Sequence, residues 1–168
     1  CRPVNVGRPL TIGTPLENSD PVHLRSTKRS LPIALLRARE TVMAPLRSML
    51  AQSGINEQKW RVLRVLNELG PSEQTTIAEA ACLLLPSLTR IMASMEKDGF
   101  IHRQTDTQDR RKTIVALQDA GRQLIKDHAA QSNLIMSQIE DSFGREKIDL
   151  LLNLLEELHQ GVPAQNRP

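Results

Sequence analysis

The sequence predicts a mainly helical α+β fold, and three observations carry the prediction. Apolar residues recur at three- and four-residue spacing through most of the chain. Gly54, Gly70-Pro71, Gly99 and Gly144 punctuate those periodic segments. A single hairpin pattern interrupts them: Phe100–Thr105 is short and β-compatible, and Thr113–Leu117 is rich in β-branched residues. A length of 168 residues with 39% hydrophobic content fits one domain, with or without an appendage.

Residues 1–30 read as a flexible extension. Pro3, Pro9, Pro15 and Pro21 break helices, and the segment holds a net charge of +3, which is the whole excess of the chain. Leu31–Ala51 is the first helix, with Leu35, Ala38, Val42, Leu46 and Met49 on one face; Pro45 should kink it or split it. Asn56 is a good N-cap for a second helix to about Leu69, with Leu63, Leu66 and Leu69, or Val62, Val65 and Leu66, facing inward. Thr76-x-x-Glu79 has capping-box spacing and opens a short third helix through about Cys82. After the hairpin, Asp119 can cap a long helix to about Phe143, lined by Leu124, Leu134, Ile135, Ile139 and Phe143. Glu146–Gln160 is the last helix, with Ile148, Leu151, Leu152, Leu155 and Leu158 in a wide stripe; residues 161–168 are a tail.

The stretch Ala81–Lys112 organises the rest. Pro86 suits the first turn of a helix, and Leu88, Ile91, Met92 and Met95 give that helix one apolar face. Ser87, Thr89, Arg90, Ser94 and Lys97 lie mostly off it, and Gly99 ends the helix as a left-handed cap. Two short helices with a tight link make a helix-turn-helix, and the hairpin behind it is a wing whose tip bears Arg110, Arg111 and Lys112. Such a helix fits a major groove, and such a tip reaches a minor groove or phosphate. A solvated helix face beside an ordinary basic hairpin has the same pattern.

Charge placement favours the first alternative. The chain beyond residue 30 is about neutral, which excludes a uniformly basic nucleic-acid binder. Positive charge is local: Arg103, Arg110, Arg111 and Lys112 outweigh Asp106 and Asp109, while residues 140–157 are acidic. Trp60, Phe100 and Phe143 are the only aromatic rings, too few for single-strand binding by base stacking. His23, His102, His128 and His159 are scattered without metal spacing, and no phosphate loop or nucleophile elbow occurs, so no enzyme, metal site or cofactor is expected. Cys1 and Cys82 are too few for a disulfide scaffold, and Cys82 sits in an apolar run where a small buried thiol is expected. No segment has the apolar length of a membrane span and no secretory signal is visible, so a cytoplasmic location is expected.

The stripes on the first, fifth and sixth helices exceed what the small central domain needs. They predict a homodimer that presents two reading helices to a palindromic site; three helices packed on one another are the other reading.

The run Leu88-Thr89-Arg90 … Met95-Glu96-Lys97-Asp98-Gly99-Phe100-Ile101 … Arg103 … Asp109-Arg110-Arg111-Lys112 … Val115-Ala116-Leu117 … Gly121 resembles the MarR family of winged-helix transcription regulators, over about residues 31–160. Within that family, the runs at 35–40, 58–64 and 81–89 are most similar to regulators of homoprotocatechuate-degradation operons. Leu117-Gln118 departs from the usual Leu-Thr pair at the helix entry, and residues 1–30 match nothing in the family.

The resemblance implies a winged helix-turn-helix at 55–118, a two-stranded wing, and dimerisation helices at 31–53 and 119–160. It implies a repressor of an aromatic-acid catabolic operon, released from double-stranded operator DNA by a small aromatic carboxylate such as a hydroxyphenylacetate. Ser87, Thr89 and Arg90 would face bases or phosphates; Arg111 would enter the minor groove with Asp109 aligning it; Arg110 and Lys112 would contact phosphates. The effector pocket would lie between the dimer helices and the reading domain, with Arg39, Trp60, Arg61 and Arg64 as the supply of cations and a flat wall. Two rivals remain: a redox sensor using Cys82, and a helical interaction module that does not bind DNA.

Overall fold

In a computed structural model of the chain, residues 26–105, 109 and 112–161 are described. Most of the predicted extension, the wing-tip residues Arg110 and Arg111, and the tail beyond 161 lie outside the described residues. The chain divides into two units, residues 1–36 and 37–168. In the first, the described residues form a 3₁₀ turn, Thr27–Arg29, whose Lys28 N–H donates to the Ser26 hydroxyl, and the opening of helix α1.

Helices α1 (Leu31–Ala51) and α2 (Glu57–Leu69) are followed by strand β1 (Ser72–Glu73). Then come α3 (Gln74–Ala80), α4 (Leu85–Lys97), β2 (Ile101–Thr105), β3 (Thr113–Leu117), α5 (Asp119–Phe143) and α6 (Arg145–Gly161). Pro45 does not split α1. The Asn56 side chain accepts from Lys59 N–H at 2.8 Å and starts α2 as expected. At the far end of α4, Gly99 adopts φ 76° and donates to Glu96 O, and Phe100 donates to Met95 O. That pair of bonds is a Schellman stop, and it aims β2 away from the helix.

The wing is an antiparallel hairpin in register from Ile101↔Leu117 to Thr105↔Thr113. A third strand joins it: β1 pairs with β3 through Ser72↔Val115 and Glu73↔Ile114, in the order β1-β3-β2. Two residues carry no period-2 signal, so this strand is invisible in the sequence. It also corrects the start of α3. The helix begins at Gln74 with Glu73 as an N-cap that makes no side-chain bond, so Thr76 lies inside it and no capping box forms. Pairing to β3 fixes the entry point, and local capping does not.

Other expectations are corrected in the same way. Gln118, not Asp119, is the residue before α5, and it makes no side-chain cap bond, because its amide donates across to Ile101 O at 3.1 Å. The buried positions of α5 are Gly121, Ile125, His128 and Ser132, while Leu134 and Phe143 are exposed. Leu69, Leu35 and Ala38 are exposed too. Cys82 is exposed at φ 49°. It occupies the position a glycine normally takes after a helix: Cys82 N–H bonds Glu79 O and Leu83 N–H bonds Ala78 O, the same Schellman pattern as at Gly99. Backbone geometry turns its side chain outward although its neighbours in sequence are apolar.

One core joins these elements. Met49 and Leu50 of α1, Val62, Leu63 and Leu66 of α2, and Ile77 of α3 meet Leu88, Met92 and Met95 beneath α4. Ile101 and Val115 close it from the sheet side. No residue of α6 is buried.

Candidate functional site

Leu88, Met92 and Met95 are all buried at 0% exposure, so one face of α4 is committed to the core and the other must face outward. Thr89 and Arg90 are on the outward face, and Ser87 is half-buried at its edge. Thr89 Oγ1 donates to Leu85 O at 2.9 Å. Arg90 has no ion-pair partner among the described residues.

Three ion pairs, none foreseen from the sequence, tie this helix and the wing to their neighbours, and one of them joins the two directly. Arg103 of β2 donates through Nε to Glu96 Oε2 at 2.9 Å and through its backbone N–H to Oε1 at 3.2 Å. Lys59 of α2 donates to Asp98 Oδ2 at 2.7 Å. Lys112, at the root of the wing tip, reaches Glu73 Oε1 at 2.6 Å. The hydrogen bond from Arg103 holds the Glu96 carboxyl below its ordinary pKa against partial desolvation, and the Lys59 hydrogen bond does the same for Asp98. Each pair joins residues distant in sequence, from seven to 39 positions apart, so no periodic pattern marks it.

Of the predicted DNA contacts, Ser87, Thr89 and Arg90 thus lie together along the first turns of α4. Lys112 is part of the wing, its N–H bonded to Asp109 O at 2.9 Å, and its ammonium is shared with Glu73.

The predicted effector residues divide. Trp60 and Arg64 come together, lining with Asn67 of α2 and Ala129, Ser132 and Asn133 of α5 a cleft of about 200 Å³. Trp60 is 5% exposed and belongs to the core as well. Its ring lies 5.9 Å from that of His128, whose Nε2 is 2.8 Å from Ser53 Oγ and whose Nδ1 is 2.9 Å from Leu124 O. Arg61 and Arg39 are elsewhere. Arg61 donates to Ala81 O at 2.9 Å, and Arg39 pairs with Glu57, which Arg47 also approaches at 3.3 Å. Trp60 and Arg64, four residues apart, share one face of α2, whereas Arg61 leaves the helix about 100° around from Trp60 and meets Ala81 O instead. A larger cleft, of about 560 Å³, lies among α1, α5 and α6. Its lining, including Val42, Ile139, Phe143, Ile148 and Leu151, contains no cation.

Among the described residues no group of three His, Cys, Asp or Glu side chains could hold a metal ion, and no single helix is long and apolar enough to cross a membrane.

Comparison with known proteins agrees with this geometry. The model of the MarR family matches residues 55–113, from just before α2 to the first residue of β3. The chain is 39% identical over 144 residues to the homoprotocatechuate degradative operon repressor of Escherichia coli, covering 82% of this chain and 97% of that one. It is 37% identical over 142 residues to the HTH-type transcriptional regulator FarR of Neisseria gonorrhoeae, covering 84% and 97%. The crystal structure of NadR in complex with 4-hydroxyphenylacetate superposes with a TM-score of 0.71 at 36% identity, over 81% of this chain and 96% of that chain.

Proposed function

Since this chain belongs to the MarR family, we propose that it is a ligand-responsive, DNA-binding transcriptional repressor of an aromatic-acid catabolic operon, released by a small aromatic carboxylate. One observation carries the reading: α4 turns Thr89 and Arg90 outward from a fully buried underside, while Glu96–Arg103 locks that helix to the wing. The likeness to a homoprotocatechuate degradative operon repressor supports the aromatic effector, and so does the likeness to a protein crystallised with 4-hydroxyphenylacetate. The reading assigns no catalytic step, and such a regulator works in the cytoplasm with the chromosome.

Two copies would supply two reading helices. Support comes from Leu150, Leu151, Leu152, Leu154 and Leu158 of α6, which are exposed and would bury apolar area against a second copy. In each copy Ser87, Thr89 and Arg90 would face the major groove, and Asp109, Arg110, Arg111 and Lys112 would serve the wing. The Trp60–Arg64 cleft would take the effector, with the indole as its flat wall and the Arg64 guanidinium for its carboxylate. The cleft lies between α2 of the reading domain and α5, so an effector wedged there changes the spacing of the two reading heads. Effector and operator then select different spacings of one dimer.

Titration with 4-hydroxyphenylacetate tests the reading. Trp60 is the sole tryptophan, so its fluorescence reports occupancy of the cleft. A duplex selected from a random library by the full chain should bind with steep salt dependence and be released by the same ligand. Arg64→Ala should keep the duplex affinity and lose the release. Salt-insensitive binding, or a Trp60 signal indifferent to every aromatic acid tried, would overturn it.

A further inference from the structure

The start of the reading helix is apolar where groove-reading surfaces usually carry donors. Leu84, the residue before α4, is 58% exposed, and Leu85, its first residue, is 43% exposed. Neither joins the core cluster, although the next leucine, Leu88, is buried at 0% exposure. Thr89 stands one turn beyond Leu85 on the same face, and its hydroxyl is turned back onto the Leu85 carbonyl at 2.9 Å. With Oγ1 committed to the helix backbone, the methyl is what Thr89 offers outward. The N-terminal turns of α4 therefore present two isobutyl groups and a methyl, with Arg90 as the adjoining cation. Those turns are the part of a recognition helix that meets base edges. In the major groove the one apolar group on a base edge is the 5-methyl of thymine.

We propose that Leu84, Leu85 and the Thr89 methyl form an apolar reading patch that recognises thymine 5-methyl groups in each half-site. The proposal rests on the DNA-binding reading above and adds which chemistry is read. A patch of this kind covers its own leucines only when methyls meet it, so a solvent-exposed pair of leucines at this place is matched to a thymine-bearing groove wall. Cytosine and guanine present no methyl there, and leucine has no donor or acceptor with which to read their edges.

The test replaces thymine by uracil, which removes the methyl and keeps every hydrogen-bonding group. The full chain first selects a duplex from a random library; that duplex is then made with uracil at each thymine in turn, and affinity is read by fluorescence anisotropy. Burying one methyl is worth about 0.8 kcal/mol, so each read thymine should cost about fourfold when replaced. In Leu85→Ser, which changes an exposed side chain, that uracil penalty should shrink toward unity while the salt dependence stays as in the parent. Uracil duplexes bound as tightly as thymine duplexes by the unmodified chain would overturn the proposal without any variant. So would a full uracil penalty retained in a folded Leu85→Ser. Failure to select any duplex would instead remove the DNA-binding reading itself, and this inference with it.

Discussion

Arg103 holds Glu96 three times, through Nε at 2.9 Å and Nη2 at 2.5 Å to Oε2 and through its own backbone N–H at 3.2 Å to Oε1, so the last turn of α4 and the first residues of β2 form one unit. The relationship sets the angle between reading helix and wing. A fork of two donors constrains direction, which a lysine ammonium at the same place does not.

Arg103→Ala and Arg103→Lys should therefore both weaken duplex binding several-fold, with little change in thermal stability. The pair is only half-buried, and an ion pair still in reach of water contributes little to folding. Anisotropy titrations beside thermal melts separate the two effects. A large fall in melting temperature with unchanged duplex affinity would assign the pair to stability alone.

The same carboxylates predict an acid limb. Glu96 and Asp98 are both held below their ordinary values of 4.5 and 3.8 in the folded chain, first by hydrogen bonds from Arg103 and Lys59. A depressed folded pKa contributes stability above the unfolded value and loses it as pH falls through the folded one. Stability should be flat down to the ordinary carboxylate range and decline below it. Glu96→Gln with Asp98→Asn should flatten that decline in melts followed with decreasing pH, and high salt should reduce it in the parent.

Gly121 is required by contact. A Cβ there would overlap the Phe100 carbonyl oxygen and lie 3.2 Å from Leu117 Cδ2, and that carbonyl already accepts from Gln118 N–H at 2.9 Å. Gly121→Ala should cost about 1–3 kcal/mol of stability through forced backbone movement. Gly161→Ala, with nothing within 4 Å of its added Cβ, is the control and should be near neutral in denaturant titrations.

Cys82→Gly should stabilise the chain. The left-handed conformation at φ 49° costs a side-chain-bearing residue about 1–2 kcal/mol, against about 0.4–1 kcal/mol of added unfolded-chain entropy for glycine. A net gain of about 0.5–1 kcal/mol is expected in urea titrations of the reduced protein. A loss would mean that the thiol makes a compensating contact.

Much of this molecule is determined by the sequence alone, because helices follow local rules. The spacing of Leu88, Met92 and Met95 selects the buried face of α4, Asn56 starts α2, and Gly99 and Gly144 sit where helices stop, each through forces acting within a few residues. Those faces are enough to place Thr89 and Arg90 outward. The tertiary structure alone decides whatever joins distant positions. Strand β1 exists because β3 offers it partners, and α3 then starts where that pairing leaves it, not where Thr76 and Glu79 suggest. Glu96–Arg103, Lys59–Asp98 and Glu73–Lys112 depend on packing that brings separate elements within about 3 Å, the hydrogen-bonding range. For the same reason the four effector candidates divide into Trp60 and Arg64 on one cleft and Arg39 and Arg61 beside Glu57. Periodicity fixes which way a side chain leaves its own helix; only the packing of helices fixes what it meets.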